Sequence, residues 1–152
     1  MRRLSTLQGV EKHTLYMVLR CASRSIKQLA LCLDFSLQAA PFYSIGAFQY
    51  AKGEGTAIYD RIPESTDILI THTPPLGTCD ITKRGVSAGC LELAERLSRG
   101  DLQNCRLHVY GHIHEARGAA IVRQTRSNLN GRVSVNAALP QIPLPIIVDL
   151  KD

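Results

Sequence analysis

No stretch of this sequence approaches the roughly 18 uninterrupted apolar residues that a membrane-spanning helix requires. The best run, Leu29 to Leu33, is cut at once by Asp34, so no membrane span is expected. No Cys-x-x-Cys pair occurs among Cys21, Cys32, Cys79, Cys90 and Cys105, and their number is odd. That pattern fits reduced thiols rather than a disulfide framework, and the cytoplasm is the expected compartment. The Gly-rich Lys52-Gly-Glu-Gly55 lacks a Gly-Lys-Ser or Gly-Lys-Thr ending, which removes a phosphate-cradling loop and leaves a surface turn. No His–Cys dyad follows from spacing, so Cys79 and Cys90 are expected to pack rather than to attack. Acidic residues are absent from the first ten positions, as in organellar transit peptides. An ordinary basic start is the preferred reading.

What is present is one ordinary domain's worth of chain. The 152 residues are 45% hydrophobic and 20% charged, close to the average soluble globular composition. A net charge of +5 is concentrated at the start, where residues 1–35 carry six basic residues against Glu11 and Asp34. The remainder is nearly neutral. No nucleic-acid reading module accompanies the basic residues, so a nucleic-acid partner is not expected.

The chain divides near residue 36. Residues 1–35 read as a moderately apolar, basic and helical segment without a chemical motif. Residues 36–152 turn to short apolar runs punctuated by Gly and Pro, the texture of an α/β domain. Asp67-Ile-Leu-Ile-Thr71 predicts a strand that must end near His72, because Pro74-Pro75 cannot donate to a sheet ladder. Helical spacing over Ser87 to Arg99 predicts a helix closed by Gly100. Arg106 to Tyr110 predicts a second strand. Residues 119–122 and 132–135 flank Asn130-Gly131 and predict a hairpin. Ile146 to Leu150 predicts a last strand.

Two of these strands end in histidines. His72 follows one, and Gly111-His112-Ile-His114 follows the other. Ligands in open α/β sheets gather beyond the carboxyl ends of strands, so both elements can deliver side chains to one rim. His112 and His114 share a side if that segment is extended, and Gly111 permits a sharp turn before them. Imidazole suits zinc, manganese or iron. His72, His112 and His114 are therefore the candidate metal ligands. Exposed loop histidines remain the plainer alternative for this spacing. His108 lies inside an apolar run and is expected to be a satisfied core histidine. His13 sits in the motif-free segment and is assigned nothing.

Asp67-Ile-Leu-Ile-Thr-His-Thr-Pro-Pro-Leu-Gly77, Leu107-His-Val-Tyr-Gly-His-Ile-His-Glu115 and Val135-Asn-Ala-Ala138, in that order, resemble the calcineurin-like metallophosphoesterases. The wording is similar to their metallophosphoesterase-domain-containing branch, as is the terminal Pro-Ile-Ile-Val-Asp-Leu. The resemblance runs from about Ser36 to Asp152 and covers roughly the C-terminal half of such a domain. It implies a β-sandwich flanked by helices, a two-metal site on its rim, and hydrolysis of phosphomonoesters or phosphodiesters. It also implies that His72 and His112 serve one metal, that His114 serves the other, and that Asn136 is structural.

The family's other ligands come from Asp-x-His, Gly-Asp and Gly-Asn-His elements upstream. None is present here; no asparagine precedes His72, and Asp34 reads Asp-Phe-Ser. Three neutral imidazoles without a bridging carboxylate cannot hold two divalent ions close together. A truncated hydrolase domain with an incomplete divalent-metal site is therefore expected, with little activity alone and a phosphoester substrate if completed. A non-catalytic metal- or partner-binding remnant is the alternative. Exposed sheet surface is expected to invite self-association.

Overall fold

The computed structural model describes residues 49–51, 53–123, 131–138 and 144–150, together with the strand backbones of 17–21, 29–30 and 40–41. In chain order the elements are β1 (Met17–Cys21), β2 (Leu29–Ala30), β3 (Ala40–Pro41), β4 (Gln49–Tyr50) and α1 (Gly55–Tyr59). They continue with β5 (Ile68–Ile70), α2 (Leu91–Ser98), β6 (Leu107–Tyr110), β7 (Gly118–Val122), β8 (Arg132–Asn136) and β9 (Ile146–Leu150). The main sheet has the order β2-β5-β6-β8-β7, parallel except for the antiparallel β7–β8 pair. This is the α/β architecture expected from alternating short strands and helical segments.

The strands expected at 67–71, 106–110 and 146–150 are present, as is the pairing of the hairpin arms. The hairpin's tip, 124–130, lies outside the described residues, as do His13, Cys32 and Asp34. The helical reading of residues 1–35 is corrected at two places. Residues 17–21 form a strand parallel to β9, in register from Met17 opposite Ile146 to Cys21 opposite Leu150. Leu29 and Ala30 pair with Ile68 and Leu69 at the edge of the main sheet. Met17, Leu19 and Arg20 are good helix formers, so the ladder with β9 overrides local propensity here.

The central strands are buried on both faces; all four residues of β6 are buried. On one face, Ile68, Leu107, Val109 and Val135 pack with Val148 and Leu150 of β9. On the other, Leu69 joins Tyr59, Ile62, Leu93, Leu97 and Leu102, which gathers α1 and α2 onto the sheet. The open apolar face expected from the sequence is therefore absent from β5, β6 and β8. Exposed apolar side chains lie instead on the outer strands, at Ile121 of β7 and Ile147 of β9.

Helix α2 starts later than its periodicity suggests. Residues 87–90 are held extended by bridges from Ser87 to Ile81 and from Cys90 to Pro75. Gly89 runs so close to Pro75 that a Cβ there would lie 2.5 Å from the Pro75 carbonyl oxygen. Cys90 then caps the helix, its sulfur accepting from the Leu93 N–H. Gly100 follows the helix at φ +84°, the left-handed closure its position predicts.

Candidate metal site

Strands β5 and β6 run parallel, with Ile68, Leu69 and Ile70 opposite Leu107, His108 and Val109. Their ladder continues past both strand ends, because Thr71 N–H donates to Val109 O and Gly111 N–H donates to His72 O. His72 and Gly111 are thereby fixed side by side. His112 then adopts φ +66°, a left-handed conformation that costs a residue with a Cβ about 1–2 kcal/mol. The sharp turn expected at Gly111 thus falls on His112. Non-glycine residues in that region persist only where surrounding bonds enforce them. The result is a direct meeting of two imidazoles, with His112 Nδ1 3.0 Å from His72 Nε2 and ring centroids 4.8 Å apart.

His114 follows a different path. The chain is not extended across 112–114, so spacing two does not place both rings on one side. Ile113 is buried between them, and His114 opens a short 3-10 turn, His114–Ala116, with its own side chain exposed. Glu115 in that turn accepts from the Lys83 N–H. Its carboxyl is held below the ordinary value by its own backbone N–H and by that of Lys83. Among the described residues, no group of three or more His, Cys, Asp and Glu side chains is gathered for a metal.

Asn136 and Asp80 support the rim. Asn136 is fully buried at the end of β8; its Nδ2 donates to Cys79 O and Ile113 O, and its Oδ1 accepts from Ala138 N–H. One amide thus ties the loop carrying the histidines to the loop after β5, which is the structural role expected of it. Asp80, unremarked in the sequence, organises that second loop. Its carboxylate accepts from the Gly77 and Gly89 N–H groups and from the Ser87 hydroxyl. The only sequence signal for it is an Asp within a loop that holds three glycines, a setting that favours side-chain to backbone bonding.

His108 is a core residue, but a half-satisfied one: its Nδ1 is buried with no hydrogen-bond partner among the described residues. Thr71 donates its hydroxyl to Thr73 O, so His108 Nε2–H must donate to Thr71 Oγ1. Burial, aided by the charge of Arg132, lowers its pKa well below 6.5 and keeps it neutral. Burial also raises the thiols of Cys79, Cys90 and Cys105. That agrees with a packing role for Cys79 and Cys90, and Cys90 adds the helix cap and a contact to the Tyr50 hydroxyl.

The main sheet thus brings two histidines, His72 and His112, together at two adjacent strand ends. No family model matches the chain. Metallophosphoesterase domain-containing protein 1 of Homo sapiens and that of Mus musculus are each 40% identical to it over 111 residues. Those alignments cover 72% of this chain and 32% of each relative. A UPF0046 protein of Caenorhabditis elegans is 31% identical over 127 residues, covering 75% of this chain and 42% of the relative. The chain is a relative of the metallophosphoesterase-domain-containing proteins. It spans about a third of the length of the two mammalian relatives.

Proposed function

We propose that this chain is the C-terminal part of a metal-dependent phosphoester hydrolase of the calcineurin-like class, with a β-sandwich core and little turnover by itself. The observation that carries the reading is the contact between His72 and His112, 40 positions apart in sequence and brought together at two strand ends. The ring nitrogens are in hydrogen-bond contact at 3.0 Å, and an opening of a few tenths of an ångström would give the roughly 3.4 Å between tetrahedral ligands each about 2.1 Å from a common ion. The pair therefore fits one divalent ion, with manganese, iron and zinc all compatible with imidazole. It does not fit a two-ion centre, which needs a bridging carboxylate.

A bound ion supplies an acidified water and offsets charge on phosphoryl oxygens. The chain's own part is to hold that ion through neutral ring nitrogens on His72 and His112, with His114 exposed on the adjacent turn outside that pair. Asn136 and Asp80 position the two loops. The absence of a third clustered donor among the described residues favours a second reading, a non-catalytic metal- or partner-binding remnant of the fold. In either reading the compartment is the reducing cytoplasm, nucleic acid is not a partner, and outer strands β7 and β9 are the sites of self-association.

Titration calorimetry with manganese or zinc tests the ligand assignment. Binding should be measurable in the wild type and lost when His112 and His114 are both replaced by alanine. A double variant that retains full metal content sinks the assignment. Hydrolysis of a model phosphodiester with added manganese should be barely detectable. Turnover on the order of 10 per second would show that the chain needs no further ligands. Metal binding without any turnover, even after the remaining length of a relative is supplied in trans, favours the remnant.

A further inference from the structure

Two arginines are buried against the same side of the main sheet, and they are treated differently. Arg96 of α2 is 3% exposed and fully engaged. Its Nε donates to Tyr59 O, its Nη2 to Ile62 O and its Nη1 to the Asp101 carboxylate. Arg132 opens β8 at 2% exposure, yet its Nε and Nη1 have no hydrogen-bond partner. The groups that act on its charge are Cys105 and Tyr110; among the described residues no carboxylate pairs with it. A buried cation without a counter-charge is costly, and folded proteins rarely keep one without a use.

Arg132 lies on the wall of a cavity of about 280 Å³ between α2 and the β7–β8 hairpin. Its other polar linings are Thr78, Ser98, Arg123 and Ser134, and no acidic residue lines it among the described residues. Arg123 is exposed at the hairpin side of this space. The site is separate from the histidine pair. Val133 N–H donates to Arg106 O, which sets the start of β8 beside the start of β6, whereas His112 lies beyond the far end of β6.

We propose that this cavity is a binding site for a small oxyanion, a phosphate or a carboxylate group, held by Arg132 with hydroxyls from Ser134 and Thr78. Guanidinium presents a planar fork of donors that matches either oxyanion. Arg123 at the margin adds attraction without a competing carboxylate among the described residues, and an anion beside the buried guanidinium of Arg132 would offset its charge.

The test is calorimetric titration of the full chain, stripped of metal by chelation and held at constant ionic strength with chloride. Inorganic phosphate and acetate are the two probes. Binding of either supports the site, and whichever binds more tightly identifies the group it takes. Arg132→Met should weaken binding about 10- to 100-fold, the loss expected when charged hydrogen bonds are removed. Arg123→Glu, an exposed change that leaves the fold alone, should weaken it less, and His72→Ala with His112→Ala should leave it unchanged. If Arg132→Met does not fold, Ser134→Ala and Arg123→Glu carry the same comparison. No binding of either probe to the wild type overturns the proposal. Binding that survives Arg132→Met, or survives both of the other cavity variants, but is lost in the histidine double variant overturns it too.

Discussion

The two faces of the main sheet solve the same burial problem in different ways. Toward β9 the strands present Ile68, Leu107, Val109 and Val135, an apolar surface whose energy comes from area removed from water. Toward α2 the same strands present Leu69, His108, Tyr110, Arg132, Ser134 and Asn136, all buried and mostly polar. Apolar packing is tolerant of composition as long as volume is kept. On a buried polar face, each group that finds a partner specifies which loop lies where. Tyr110 OH holds Thr78 O, Asn136 holds Cys79 and Ile113, and His108 holds Thr71. One face stabilises the fold; the other aligns the rim.

Substitutions on the two faces should therefore fail in different ways. The largest effect is expected on the apolar face, where Leu107→Ala should cost about 2–5 kcal/mol in urea unfolding, with the rim geometry intact in the survivors. On the polar face, Asn136→Ala should cost about 1–3 kcal/mol by leaving loop carbonyls unpaired. It should also weaken metal binding at His72 and His112, which it does not touch; equal metal affinity would break the distinction between the faces.

His108 should make the polar face sensitive to acid. Its folded pKa lies well below 6.5, so the unfolded chain takes up a proton first. Stability should then be complete above about pH 6.5 and fall below it, by as much as about 1.4 kcal/mol per unit. Denaturation midpoints followed over pH should lose that component in His108→Leu. The smallest effect is expected at the rim itself. His112→Gly removes a ring but relieves a left-handed residue, so stability should change by less than about 1 kcal/mol while metal binding is lost.

The parts of the fold legible beforehand were those where local chemistry and tertiary demand agree. The β-branched run before Pro74-Pro75 and the Gly100 closure each follow from residues within a few positions of one another. The strand at 17–21 was not legible, because its partner is β9, more than a hundred residues away in sequence. Residues 87–90 carry helical spacing yet are held extended by Pro75 and Ile81. The candidate site divides the same way. His72 and His112 could be placed at strand ends from the sequence. The parity that joined His112 to His114 assumed an extended backbone, and the left-handed turn at His112 removes it.

By itself the sequence determined the α/β texture, the strand ends that carry histidines and the kinship with metallophosphoesterase-domain proteins. Those features are written in short segments whose turn residues and apolar spacing act locally. Only the tertiary structure decided that His72 and His112 meet, that Asn136 and Asp80 clasp the loops, and that Arg132 is buried with no counter-charge among the described residues while Arg96 has one. Each of these depends on groups far apart in the chain sharing a desolvated space, where a hydrogen bond or charge counts only against what lies beside it.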